Sequence, residues 1–129
     1  METSRILWEE RPGVGDRCPV AHALDVVVGK WTTLIVRDLL GGTKRFTELR
    51  RGLNGVNPKV LTERLRLLEE HGIIERRAYA EVPPRVEYSL TERGRSLEPV
   101  LAALWHWGAL DLRRPDDTSS AQKRRFASD

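Results

Sequence analysis

One cysteine, Cys18, stands in 129 residues, so no disulfide can close within the chain. A reduced thiol in a cytoplasmic protein is the reading this favours. No apolar run approaches the roughly 20 residues that a membrane-spanning helix needs, and the opening residues, Met1 to Glu10, lack the apolar stretch of a secretory signal. His22, His71 and His106 have no metal-ligand spacing and read as solvated or core residues. No glycine-rich phosphate loop follows a strand-like run, and no nucleophile, base and acid can be assembled. An enzyme, a bound metal and a cofactor therefore have no support in the sequence. Internal repeats and long low-complexity tracts are absent too.

What is present is a charge bias with a location. The whole chain has a net charge of +3, which alone says little about partners. Between Lys44 and Arg95, however, 12 basic residues face 8 acidic ones. The positive excess lies in that segment, where attraction to phosphate would need it. At this length there is room for one domain with a modest core.

Residues 1–17 read as an arm, with Ile6, Leu7 and Trp8 as anchors before a Pro/Gly-punctuated stretch. Cys18-Pro19 looks like a helix entrance, because proline costs nothing where first-turn amides are unpaired. Ala23, Leu24, Val27 and Val28 give that helix an apolar stripe until Gly29 interrupts it. Trp31, Leu34, Ile35 and either Asp38 or Leu39 recur at helical spacing in the next, which should stop at Leu40 before Gly41-Gly42. Lys44-Arg45-Phe46 has the makings of a small edge strand. Thr47 is placed to cap a short helix from Glu48 to Leu53. After Asn54-Gly55-Val56, Asn57 can cap a helix whose first position is Pro58 and which runs to His71, where Gly72 stops it.

That helix has two sides. At about 100° per residue, Leu61, Leu65 and Leu68 form an inward stripe, while Lys59, Thr62, Glu63, Arg66 and Glu70 fall opposite. Ile73–Tyr79 and Arg85–Leu90 are candidate strands; Val86, Tyr88 and Leu90 alternate with polar neighbours. Pro83-Pro84 is expected at the tip between them, because proline cannot sit centrally in a sheet. Thr91 is expected to cap one long final helix carrying Leu97, Val100, Leu101, Leu104, Trp105 and Trp107. Its apolar surface is wider than one small core requires, which points to burial against a second subunit. From Arg113 to Asp129 the composition is polar and tail-like.

A capped basic helix followed by a small hairpin is the layout of a winged helix-turn-helix. Several stretches sharpen the reading: Cys18-Pro-Val; Leu24 to Trp31; Arg45-Phe-Thr-Glu-Leu-Arg50; Lys59 to Leu65; Leu68-Glu-Glu-His-Gly72; and Pro83 to Gly94. In this order and spacing they resemble the HxlR family of small winged-helix transcriptional regulators, fold relatives of the MarR-type regulators, over residues 18–108. The resemblance implies a homodimer formed through the N-terminal and last helices, bound to partly palindromic operators near promoters. Asn57 stands where many members have Ser, and either residue can cap.

The expected fold is thus α+β, mostly α, with residues 18–112 forming the DNA-binding and dimerisation domain. The expected function is a sequence-specific, homodimeric DNA-binding regulator, a repressor in the preferred reading. The alternative is a winged-helix interaction or dimerisation module without specific DNA contact. Asn57, Pro58, Lys59, Thr62, Glu63 and Arg66 are the candidates for contact with double-stranded DNA. Lys59 and Arg66 suit phosphate or guanine edges; Glu63 either accepts from a cytosine amino group or orients Arg66 or Lys59. Arg85 and, of the adjacent Arg76 and Arg77, preferably Arg77 are candidates on the wing. Lys44, Arg45, Arg50 and Arg51 are candidate backbone clamps, with plain solubility as the competing explanation; Arg64, off the polar side, reads as structural. Cys18, beside Arg17 at a helix entrance, has an environment that favours the thiolate and so a redox or electrophile response, with His22 at most tuning it. A small buried hydrophobe is the other reading of Cys18. Trp31, Trp105 and Trp107 read as core and interface, with a small effector pocket between the first and last helices of a dimer as the alternative.

Overall fold

The computed structural model describes residues 17–27 and 29–115. The expected arm before Arg17 and the polar tail after Pro115 lie outside the described residues, as does Val28. Proline and glycine set most of the element boundaries. Helix α1 (Pro19–Val26) starts on its proline, and Gly29, with φ +79°, opens α2 (Gly29–Leu40). Strand β1 (Lys44–Arg45) leads into α3 (Phe46–Gly52), and a turn containing Gly55 (φ +87°) leads to α4 (Pro58–Glu70). Strands β2 (Ile74–Tyr79) and β3 (Arg85–Leu90) make the hairpin, with Pro83 and Pro84 in the loop between them. Helices α5 (Glu92–Arg95) and α6 (Glu98–Leu112) complete the described chain.

Two expected boundaries are corrected. Helix α3 begins at Phe46, not Glu48, and Arg45 rather than Thr47 is its cap residue. The first-turn carboxylate of Glu48 reaches back to accept from the Arg45 N–H at 2.9 Å, which satisfies that donor without a Thr cap. Thr91 does cap a helix, but only the four-residue α5; the long helix is separate and starts at Glu98, with Pro99 in its first turn. Gly94 explains the short segment. Its backbone lies so close to the hairpin that an added Cβ would be 2.1 Å from the Ile73 carbonyl oxygen. The chain is pressed onto the strand end there and turns away before resuming as α6.

The core gathers around α2 and α4. Ile35, Val36 and Leu39 of α2 meet Leu61, Leu65 and Leu68 of α4, closed below by Leu49, Leu53, Ile73 and Ile74. Leu39 resolves the alternative with Asp38, which instead pairs with Arg37 at 2.9 Å. Full burial of each such leucine contributes about 1.5–3 kcal/mol. Helix α1 departs from expectation: its buried residue is Val26, while Leu24 of the expected stripe is 59% exposed. An eight-residue helix at the edge of the domain touches the core only at its end. No single helix among the described residues is long and apolar enough to cross a membrane.

The sheet has the order β1-β3-β2, all antiparallel. Ile74 pairs with Leu90, and the register runs out to Tyr79 opposite Arg85. Directly opposed residues share a face, so Arg77, Tyr79, Arg85 and Glu87 stand together, away from Val86, Tyr88 and Leu90.

Candidate nucleic-acid interface

Helix α4 is oriented at both ends before any side chain on it matters. At its start, the Asn57 Oδ1 accepts from the Lys59 N–H at 2.8 Å, and Pro58 occupies a position where no amide is missed. At its end, Gly72 (φ +72°) donates to the Glu69 carbonyl and Ile73 donates to the Leu68 carbonyl, the paired bonds of a Schellman stop. Its cap is His71, so the helix ends one residue before the expected His71. The same end is tied to α5. The Thr91 hydroxyl shares its proton between the carbonyls of Gly72 (2.6 Å) and Ile73 (3.0 Å), and accepts from the Gly94 N–H. Arg93 donates to the His71 carbonyl. Sequence periodicity gave no sign of this tie; Thr91 and Arg93 belong to it through contacts about twenty positions away.

With the inner side of α4 buried, Lys59, Thr62, Glu63 and Arg66 stand exposed at i, i+3, i+4 and i+7, one face of the helix, and Asn57 and Pro58 are exposed at its entrance. The row from Lys59 to Arg66 is about 10 Å long at 1.5 Å per residue, which suits the roughly 12 Å width of a major groove. Thr62 donates to the Pro58 carbonyl at 2.9 Å, so its hydroxyl lone pairs face outward as acceptors. Arg66 makes a loose pair with Glu70 at 3.9 Å and not with Glu63. Among the described residues Glu63 has no ion pair, so its carboxylate is not spent on orienting Arg66 or Lys59.

The wing holds its two arginines differently. Arg77 is exposed and pairs with Glu75 at 3.4 Å. A hydrogen bond with Tyr79, followed by the charges of Tyr79 and Glu75, raises its pKa further, so it stays cationic at any working pH. Arg85 is more enclosed: its guanidinium lies 3.9 Å over the Tyr79 ring, pairs with Glu81 at 3.1 Å, and keeps Nε buried without a partner. It braces the hairpin as much as it faces outward. Arg45 is exposed on the edge strand and Lys44 is half-exposed, paired in register with Tyr88. Arg50 and Arg51 are exposed in the last turn of α3. The basic groups thus flank α4 on the strand edge, the preceding helix and the wing.

These features together are a helix-turn-helix with a wing, and the chain matches the HxlR-like helix-turn-helix family over residues 26–116. The chain belongs to the HxlR family. It is 50% identical over 95 residues to the HTH-type transcriptional regulator sll1512 of Synechocystis sp., covering 74% of this chain and 70% of that one. The redox regulator HypR in its reduced form superposes with a TM-score of 0.71 at 44% identity, over 74% of this chain and 95% of HypR. In its oxidized form the TM-score is 0.67 at 47% identity, over 71% and 95%. This HxlR protein is accordingly a winged helix-turn-helix DNA-binding regulator.

Outside the reading head the structure separates residues that periodicity grouped. Leu97 and Leu101 of the expected dimerisation set pack on the protomer's own core, and Trp31 does likewise. Val100, Leu104, Trp105 and Trp107 are open, the two tryptophans 71% and 69% exposed. Leu24 of the expected stripe is exposed as well, and so are Val20, Leu110 and Leu112, which were not singled out from the sequence. On α6 their signal was present: apolar residues recur in more directions around the helix than one inward stripe can bury. Cys18 is exposed in the protomer and occupies the cap position of α1.

Proposed function

We propose that two copies of this chain pair through α1 and α6, place their α4 helices in the major groove of a partly palindromic operator, and repress by covering a promoter in the cytoplasm. The two-sidedness of α4 carries this reading: Leu61, Leu65 and Leu68 are at most 2% exposed, while Lys59, Thr62, Glu63 and Arg66 face out. In this arrangement Lys59 and Arg66 meet phosphates or guanine edges, Thr62 accepts from a base amino group, and Glu63 accepts from cytosine. Asn57 and Pro58 set the approach of the helix. Arg77, with Arg85 behind it, reaches the flanking backbone or minor groove; Lys44, Arg45, Arg50 and Arg51 neutralise phosphates nearer the centre. Two-fold symmetry spaces the half-sites by about 34 Å or a multiple of it.

Cys18 is the proposed regulatory handle. It is exposed at the entrance of α1, beside the proposed subunit interface, and HypR, a relative at 44% identity, is a redox regulator. Oxidation of Cys18, or its addition to an electrophile such as a quinone, would alter how the two reading heads are spaced.

One experiment tests both parts. Fluorescence anisotropy of the protein against its own upstream DNA, across a salt series, should show tight binding that weakens steeply with salt and exceeds binding to unrelated DNA. Weak, equal binding to all DNA would replace this reading with the interaction module. A quinone pulse should lower operator affinity of the wild type and leave Cys18→Ser unchanged; equal responses would remove Cys18 from the mechanism.

A further inference from the structure

We infer that Tyr79 is a positioning residue for DNA contact by the wing, its ring fixed against Arg85 and its hydroxyl aiming Arg77 outward. The inference rests on the reading that Arg77 meets the flanking backbone or minor groove, and it adds what holds that guanidinium ready.

Tyr79 and Arg85 are the last pair of the hairpin register, directly opposed on the sheet face that also carries Arg77 and Glu87. Beyond them the chain folds back. The Glu81 N–H donates to the Tyr79 carbonyl at 2.9 Å, and the Glu81 carboxylate meets Arg85 at 3.1 Å. The Arg85 guanidinium is therefore held by that carboxylate and by the Tyr79 ring, whose centroid is 3.9 Å away. The buried Nε of Arg85 has no hydrogen-bond partner among the described residues, which leaves the ring to offset its lost hydration. The side chain of Arg85 is 28% exposed against 64% for Arg77. Arg85 is spent on the hairpin, and Arg77 is the cation on offer.

Arg77 has two neighbours of different kinds on its own strand face, Glu75 before it and Tyr79 after it. The Glu75 carboxylate, 3.4 Å away and exposed, is a weak partner that a phosphate can displace. The Tyr79 hydroxyl accepts from the Arg77 guanidinium. A neutral acceptor orients the guanidinium and leaves its full charge for the phosphate. A long side chain on an exposed strand loses rotamer freedom when it meets DNA, and one already held loses less. The order of support runs from Glu81 to Arg85, from Arg85 to the Tyr79 ring, and from the Tyr79 hydroxyl to Arg77.

The test is a double-mutant cycle, read by fluorescence anisotropy of the full chain on its own upstream DNA across a salt series. Arg77→Ala should weaken binding about tenfold and lower the slope of log affinity against log salt by about one, as withdrawal of one cation from the DNA requires. Tyr79→Phe keeps the ring and removes only the hydroxyl. It should weaken binding about threefold, and the double variant should bind no worse than Arg77→Ala alone, because the hydroxyl acts through Arg77. Tyr79→Leu, which frees both arginines, should approach the roughly tenfold loss of Arg77→Ala. Thermal melts of Tyr79→Phe should match wild type; should they fall, the double variant still decides, since a stability effect adds to that of Arg77→Ala. Wild-type affinity in Tyr79→Phe, or a loss that adds in full to that of Arg77→Ala, overturns the role of Tyr79 and leaves Arg77 on the DNA. Wild-type affinity and salt slope in Arg77→Ala take Arg77 off the DNA, and the wing reading falls together with the inference.

Discussion

Helices α4 and α6 are close in length, 13 and 15 residues, and opposite in how their side chains are used. Helix α4 has one buried side, one polar side, a side-chain cap at the start and a glycine stop at the end. Helix α6 has apolar residues around most of its circumference and none of them buried; it rests on α2 and presents Leu104, Trp105, Trp107, Leu110 and Leu112 to the surroundings. Every orienting contact of α4 is made within the protomer. Helix α6 carries apolar side chains that the other described residues do not cover, and a large exposed apolar patch is the usual mark of an interaction surface. The difference separates a part whose contacts are complete among the described residues from a part left open for the pairing proposed above.

The sharpest way to break the α4 side of this comparison is at Gly94. Gly94→Val puts a Cβ against the Ile73 carbonyl and should cost about 4 kcal/mol or more, so that no cooperative thermal transition survives. A melt within a few degrees of wild type would mean that α5 can detach from α4 without consequence. On the α6 side, Leu104→Glu combined with Trp107→Glu should leave the protomer folded by circular dichroism and shift it to a monomer in sedimentation. Operator affinity should then fall about a hundredfold or more, because the second half-site is no longer held at high effective concentration. Unchanged sedimentation would reassign that surface.

Smaller effects sharpen the comparison at single contacts. Lys59→Ala and Arg66→Ala should each weaken operator binding by about 1–3 kcal/mol with no change in melting temperature, since neither takes part in packing. Unaltered operator affinity removes the residue from the interface. Asn57→Ala should cost about 1 kcal/mol of stability through the lost bond to the Lys59 N–H, and Asn57→Ser should restore most of it. Chemical denaturation measures both; equal stability of all three proteins would show that Pro58 alone sets the start of the helix.

Much of the reading head was legible in the sequence because its signals are local. Asn57-Pro58, Gly72 and the spacing of Leu61, Leu65 and Leu68 act within a turn or two, where 3.6-residue periodicity and capping chemistry apply directly. Alternation in Val86, Tyr88 and Leu90 likewise announced the inner strand. Thr91 was read as the cap of one long helix because nothing within four residues of it reveals Gly94 pressed against Ile73. Thr47 was read as a cap on residue type alone, whereas Glu48 reaching back to the Arg45 N–H does that work from inside the helix.

By itself, the sequence determined most of the helices and both wing strands, which side of α4 faces inward, the winged helix-turn-helix class, and the family. These follow from short-range propensity and from apolar periodicity, which a linear chain displays openly. Only the tertiary structure decided which apolar residues of α6 serve the protomer's own core and which remain uncovered. It also decided that Arg85 is braced by Tyr79 and Glu81 while Arg77 stands open. The reason is physical: burial and pairing depend on neighbours brought together from distant positions, and no local pattern encodes which neighbour arrives.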